Sequence, residues 1–317
     1  MTISLHSKIY IAGHQGMVGS ALLRAFKAHG YTRFALATRK DLDISNSLAV
    51  DTFLRQEKPD LVINAAAKVG GIYANNNYPA EFIYSNLSSA LTLTHSAFQN
   101  GIQHYIFLGS SCIYPRNAPQ PISENCLLTG PLEETNEPYA IAKIAGLKMC
   151  QYYRKQYGVR FYSVMPTNLY GPGDNYHLQN AHVLPALIRK FYEAKINKQP
   201  CVTLWGDGTP KREFLHVDDL ALGILHLVTL ENPPDWTNIG MGKDVTIHEL
   251  ATLIANTVGY TGNILFDTTY PNGTPQKLLN IDLIKRTGWK PAIELADGIQ
   301  KTYDSFLSEL GSGTLRT

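Results

Sequence analysis

The sequence predicts an α/β protein in which helices flank a doubly wound parallel sheet and a smaller α/β lobe follows toward the C-terminus. Three observations carry this. Short apolar runs alternate with helix-length segments through the first half of the chain. A glycine-rich loop joins the first such run to the first helix. Beyond Pro166 the pattern loosens into short elements separated by turn formers. At 317 residues the chain can bury a large core. Its net charge of +2 is far too small to argue for nucleic acid or an anionic membrane as partner. No apolar run approaches the ~20 residues of a membrane span, and residues 1–7 lack a signal-peptide pattern. The cysteines Cys112, Cys126, Cys150 and Cys201 show no paired C-x-x-C spacing, so no metal is expected. They read as free thiols, and a cytoplasmic location is expected.

Taken in order, Lys8-Ile9-Tyr10-Ile11-Ala12 is a strand followed at once by Gly13-His14-Gln15-Gly16-Met17-Val18-Gly19. Ala21, Leu22, Ala25 and Phe26 then mark a helix that Gly30 ends. This is the context of a Rossmann-type dinucleotide fingerprint. The first glycine permits the turn, the second lets backbone approach a pyrophosphate, and the third allows helix–strand packing. A second strand, Phe34-Ala35-Leu36-Ala37, ends at Thr38-Arg39-Lys40. Two cations where an NAD enzyme would place an acid favour NADPH, with Arg39 at the 2′-phosphate. Asp41 and Asp43 either meet the adenine or cap the next helix.

Further strands are expected over 61–64, 105–108 and 160–165, with a helix from about 86 to 100. Residues 213–217 read as another strand, with Asp218 or Asp219 capping the helix after it. Helices ending near Gly259 and spanning about 295–310 follow, and the tail 311–317 reads as loose. The division expected is a dinucleotide-binding domain over 1–170, with 213–240 returning to it. Residues 171–212 and 241–317 then form a substrate lobe.

The chemistry centres on the end of the 105–108 strand, where Gly109 leads into Ser110-Ser111-Cys112. Pro138 suits a helix start, so Tyr139 and Lys143 share one helix face. A cation beside a phenol favours phenolate, and a hydroxyl from Ser110 can hold a carbonyl oxygen beside it. Such a site moves hydride to or from a carbon that bears oxygen. Taken alone, Tyr139 and Lys143 also read as a half-buried aromatic beside a solvated lysine. Cys112 alone reads equally as a small buried hydrophobe, and His182 as a surface histidine.

Together, Gly13-x-x-Gly16-x-x-Gly19, Tyr139-x-x-x-Lys143 and the Ser110 region resemble the extended short-chain dehydrogenases/reductases. Within them, Ser110-Ser111-Cys112-Ile113-Tyr114-Pro115, Pro166-Thr167-Asn168-Leu169-Tyr170-Gly171-Pro172 and Arg212-Glu213-Phe214-Leu215-His216-Val217-Asp218-Asp219 are similar to the GDP-L-fucose synthase family. The resemblance runs from about residue 8 to 310. It implies NADPH-dependent epimerisation of GDP-4-keto-6-deoxy-D-mannose at carbons 3 and 5, then reduction of its 4-ketone. An alternative is related chemistry on another GDP-4-keto sugar, such as a heptose. By the same resemblance, Ser110, Cys112, Tyr139, Lys143 and His182 are catalytic, with Cys112 and His182 as base and acid. Leu108, Gly109, Ser110, Ser111, Pro166, Thr167, Asn168, Leu169 and His182 join the glycine loop around the cofactor. Lys190, Trp205, Arg212 and Asn280 contact substrate, and the family implies a homodimer paired through helices near 86–100 and 138–157. The chain departs from the family at Gln15, where many relatives have arginine, and at Asn280, where the residue is usually acidic.

Overall fold

The computed structural model describes residues 3–177, 180–270 and 272–317. Among these, six strands form one sheet in the order Phe34–Ala35, Ile9–Ala12, Leu61–Asn64, His104–Leu108, Arg160–Pro166 and Trp236–Ile239. Every neighbouring pair is parallel. Both faces are covered, so the inner strands read as continuous apolar runs. Side chains divide by alternation. Ile9 and Ile11 join the core under the helices Met17–Ala28 and Val217–Thr229, whereas Tyr10 and Ala12 join Val50, Leu93 and Cys150 on the opposite face. The chain leaves Ile9–Ala12 toward one edge and crosses back to Leu61–Asn64 on its other side. The crevice at the carboxyl ends of these two strands is the switch point where ligands enter such sheets.

A smaller sheet centres on Lys211–His216. It pairs antiparallel with Asp244–Thr246 and parallel with Gln276–Lys277 and Asn168–Tyr170. Beside it lie the parallel strands Cys201–Trp205 and Asn263–Asp267. The helices Val183–Ile196, Ile247–Val258 and Leu295–Gly311 close a second core through Leu184, Phe191, Leu250, Ile254, Ile299 and Phe306.

Several elements differ from expectation. The helix expected from about residue 86 is Pro79–Gln99, started by Pro79 and Glu81 in its first turn. Tyr84, 72% exposed, interrupts the apolar stripe there and hides that first turn from a periodicity reading. Asp218 and Asp219 do not cap the helix after the 211–216 strand. His216 does, its ring nitrogen accepting from the Asp218 N–H at 3.2 Å. The tail is tied down: the Tyr176 N–H donates to the Arg316 carbonyl (2.8 Å), and the Arg316 guanidinium donates to the Gly173 carbonyl (2.9 Å).

Candidate active site

The glycine loop occupies the switch point. Gly13 has φ +80°, and a Cβ there would lie 3.0 Å from Ala66 backbone, while a Cβ on Gly19 would collide with the Gly13 carbonyl. The Gly16 N–H closes the turn onto the Gly13 carbonyl at 2.9 Å. Gly16 then caps the Met17–Ala28 helix with no side-chain acceptor, leaving the first amides, from Met17 onward, to suit a pyrophosphate. Beside them the Nδ1 of His14 is buried without a partner among the described residues. Gln15 is exposed. At the end of the second strand, Asp41 takes the Thr38 N–H (2.9 Å) and hydroxyl (2.6 Å), and these bonds hold its carboxyl below the usual range. Asp43 likewise takes the Ser45 N–H and hydroxyl. Both acids therefore fasten local turns, and Asn46 caps the following helix. Arg39 and Lys40 are exposed beside them. An uncapped helix start, a bare glycine turn and an orphaned imidazole fit a nicotinamide dinucleotide.

At the end of His104–Leu108, the Gly109 N–H donates to the Val164 carbonyl (2.9 Å), and the extended Ser110 presents its hydroxyl. That oxygen accepts the Cys112 N–H at 3.2 Å and is hydrogen-bonded to Tyr139. Buried Lys143 donates to the Leu108 carbonyl at 2.7 Å, with its ammonium 4.8 Å from the Phe107 ring centroid and 5.6 Å from that of Tyr139. Burial pulls the Lys143 pKa down to about 7. The expectation that this cation lowers the Tyr139 pKa is corrected. Burial, then the neighbouring Cys112, push the phenol upward against the Ser110 hydrogen bond, while Lys143 donates to the Leu108 carbonyl. Tyr139 is thus a protonated donor rather than a ready phenolate. The Cys112 sulfur accepts from Asn136 Nδ2 at 3.7 Å and from Lys277 Nζ at 3.6 Å.

His182 immediately precedes the Val183–Ile196 helix, on a loop docked through the Gly71 N–H to the Asn180 carbonyl at 3.0 Å. The residue is exposed, yet the surrounding protein mass disfavours the charged form and lowers its pKa. Pro166 ends the fifth strand of the large sheet. Thr167 bonds back to Ile239 (3.1 Å), and Asn168 Nδ2 donates to the Glu213 carbonyl (2.8 Å), with Leu169 in the adjoining strand.

Beside the second core, Lys190 donates to the Thr203 carbonyl (2.5 Å). Trp205, 70% exposed, stacks on Tyr270 with centroids 4.5 Å apart. Arg212 donates to the Thr274 carbonyl (2.6 Å) and is held beside Lys277 by strand register. Asn280 turns its amide to the next helix, Oδ1 accepting the Asp282 N–H at 2.8 Å and Nδ2 donating to the Asp282 carboxylate at 3.3 Å. Ser110, Cys112, Tyr139 and Lys143 thus form one connected cluster. Lys277, Asn136, Tyr270 and Glu213 are site neighbours that sequence reasoning missed. No spacing in the sequence shows that a side chain of 276–277 faces the sulfur; that follows from the strand pairing.

A family model described as the NAD dependent epimerase/dehydratase family matches residues 9–240. The chain is 52% identical to GDP-L-fucose synthase 1 of Arabidopsis thaliana, over 96% of this chain and 94% of that protein. Its fold is similar to a GDP-6-OMe-4-keto-L-xylo-heptose reductase from C. jejuni (TM-score 0.91, 34% identity, 98% of this chain and 100% of that one). It is also similar to a GDP-L-fucose synthetase from Naegleria fowleri bound to NADP (TM-score 0.90, 25% identity, 100% of this chain and 98% of that one).

Proposed function

The chain belongs to the NAD dependent epimerase/dehydratase family, and from that membership we propose that it synthesises GDP-L-fucose. The substrate is GDP-4-keto-6-deoxy-D-mannose, epimerised at carbons 3 and 5 and then reduced at carbon 4. One observation carries the reading: the Ser110 hydroxyl that meets Tyr139 also accepts the Cys112 N–H, so a thiol stands at the centre built for a ketone.

A proton next to a ketone leaves only when the enolate oxygen is stabilised, and Ser110 and Tyr139 receive that oxygen. Burial keeps Tyr139 protonated, so it donates first a hydrogen bond and finally its proton as the alcohol forms. Cys112 and His182 serve the two faces of the inverted carbons, Cys112 as base and His182 as acid; the surrounding protein disfavours the charged imidazole, so once protonated it gives its proton up readily. A bound nicotinamide supplies the hydride. Lys143, anchored on Leu108, would hold its ribose, and the Gly13 to Gly19 loop its pyrophosphate. NADP is the form proposed, supported by exposed Arg39 and Lys40 and by the engagement of Asp41 in its turn. Lys190, Trp205 and Arg212 take the GDP moiety, with Asn280 at the edge.

A homodimer is proposed through the packed helices Pro79–Gln99 and Glu137–Tyr157, which leave Tyr84, Leu91 and Tyr152 exposed. Sedimentation at a monomer's mass would end that proposal. A cytoplasmic location is supported by four free cysteines and is checked by cell fractionation.

The test of function is one incubation with NADPH and GDP-4-keto-6-deoxy-D-mannose in heavy water. NADPH loss with deuterium at carbons 3 and 5 is expected. Loss without deuterium leaves a plain 4-reductase. Inertness here, with turnover of a GDP-4-keto heptose in a parallel incubation, moves the substrate to the class named for the C. jejuni relative.

A further inference from the structure

We infer that Lys277 is the positioning residue for the thiol base: its ammonium holds Cys112 as the thiolate that attacks a substrate proton. This rests on the role proposed for Cys112 above. Lys277 Nζ lies 3.6 Å from the sulfur and Asn136 Nδ2 lies 3.7 Å from it. A lysine ammonium has three donors and no acceptor, and an amide nitrogen likewise only donates. The sulfur therefore accepts from both, which is the setting a negative sulfur requires.

Long surface lysines usually sample many rotamers, and ordering one costs side-chain entropy. Here the backbone around Lys277 is fixed on two sides. Gln276 and Lys277 pair with Lys211 and Arg212, and the Lys211 N–H donates to the Pro275 carbonyl at 2.8 Å. On the other side the Leu278 N–H meets Gln120 Oε1 (2.8 Å), and the Ile122 N–H meets the Leu278 carbonyl (2.8 Å). Buried Glu213 takes the Leu279 N–H at 3.0 Å. The side chain of Lys277 is itself half-buried. Its register partner Arg212 is engaged on the Lys211 and Thr274 carbonyls. Of two paired cations, one is thus turned to the 273–274 turn and the other to the sulfur.

In the step this supports, the thiol proton goes to solvent and Lys277 stays protonated. The thiolate then forms an S–H bond to the proton leaving the substrate carbon, and the C–H electron pair passes into the enolate.

The test needs no substrate, so its failure is distinct from failure of the proposed activity. Alkylation of the Cys112 peptide by iodoacetamide is followed by mass spectrometry in the parent protein, Lys277→Met and Lys277→Arg. At pH ~7 the methionine variant is expected to react about tenfold slower, with arginine restoring most of the rate. At pH ~10, where thiols ionise unaided, the three rates converge. An unchanged rate at pH ~7 overturns the inference and turns Lys277 over to the substrate diphosphate. Slowing that persists at pH ~10 also overturns it, since it reports lost access or lost structure.

Discussion

At the corner formed by residues 108–143, the chemistry hangs on one strand end and the first two turns of one helix. Ser110 follows Leu108 by two residues, and Lys143 reaches back to the Leu108 carbonyl from one turn beyond Tyr139. Around the Lys211–His216 sheet the chemistry hangs instead on strands from distant parts of the chain, clamped by Glu213. One Glu213 oxygen takes the Gly242 N–H (2.6 Å), the other takes the Leu279 N–H, and its carbonyl takes Asn168 Nδ2. The first region is rigid because its residues are neighbours. The second is rigid only while its clamp holds. Changes in the first should therefore cost chemistry and leave the fold intact, and changes in the second should cost the fold along with the chemistry.

The largest effect expected is on the first side. Tyr139→Phe keeps the ring and removes the proton that reaches the ketone oxygen, so kcat for NADPH oxidation should fall about 10²–10⁴-fold with the melting temperature nearly unchanged. A large loss of melting temperature would show that this corner is also structural. Next comes Asp174, in the loop tied to the C-terminal tail. Burial raises its carboxyl to about 7 from 3.8, so the folded protein binds more protons than the unfolded chain between those values. Its contribution to stability falls as pH rises through that window. Asp174→Asn should therefore raise the melting temperature above pH 7, by at most about 4 kcal/mol of stability, with the gain fading toward pH 4. A gain independent of pH would refute the assignment. The smallest effect is Glu213→Gln, which turns an amide NH₂ on a backbone N–H. A loss of about 2 kcal/mol is expected, with Cys112 alkylation slowing in step as the strap 276–280 loosens. Denaturation and alkylation measured on one sample would separate the two regions if only the first responded.

The same contrast explains what the sequence made legible. The glycine loop, the buried strands and the Tyr139–Lys143 pair follow from spacings shorter than a strand and a helix turn, which periodicity captures. Lys277 does not, because 165 residues separate it from Cys112 and only strand register brings them together. The His216 cap is hidden because it needs the acceptor nitrogen of a buried imidazole, where Asp218 and Asp219 are the commoner choice. The protonation of Tyr139 is hidden because it depends on how much protein surrounds the phenol and on where Lys143 points.

The strap's place near the end of the chain also orders assembly in time. Synthesis runs from the N-terminus, and domains fold as their residues emerge. The strands that carry Ser110 and the Tyr139 helix are complete long before residue 276 leaves the ribosome. A nascent chain stalled after Ile239 would hold the dinucleotide crevice and the phenol but no ammonium at the sulfur. The growing protein thus holds Cys112 and His182 before the strand that brings Lys277 to the sulfur has been made.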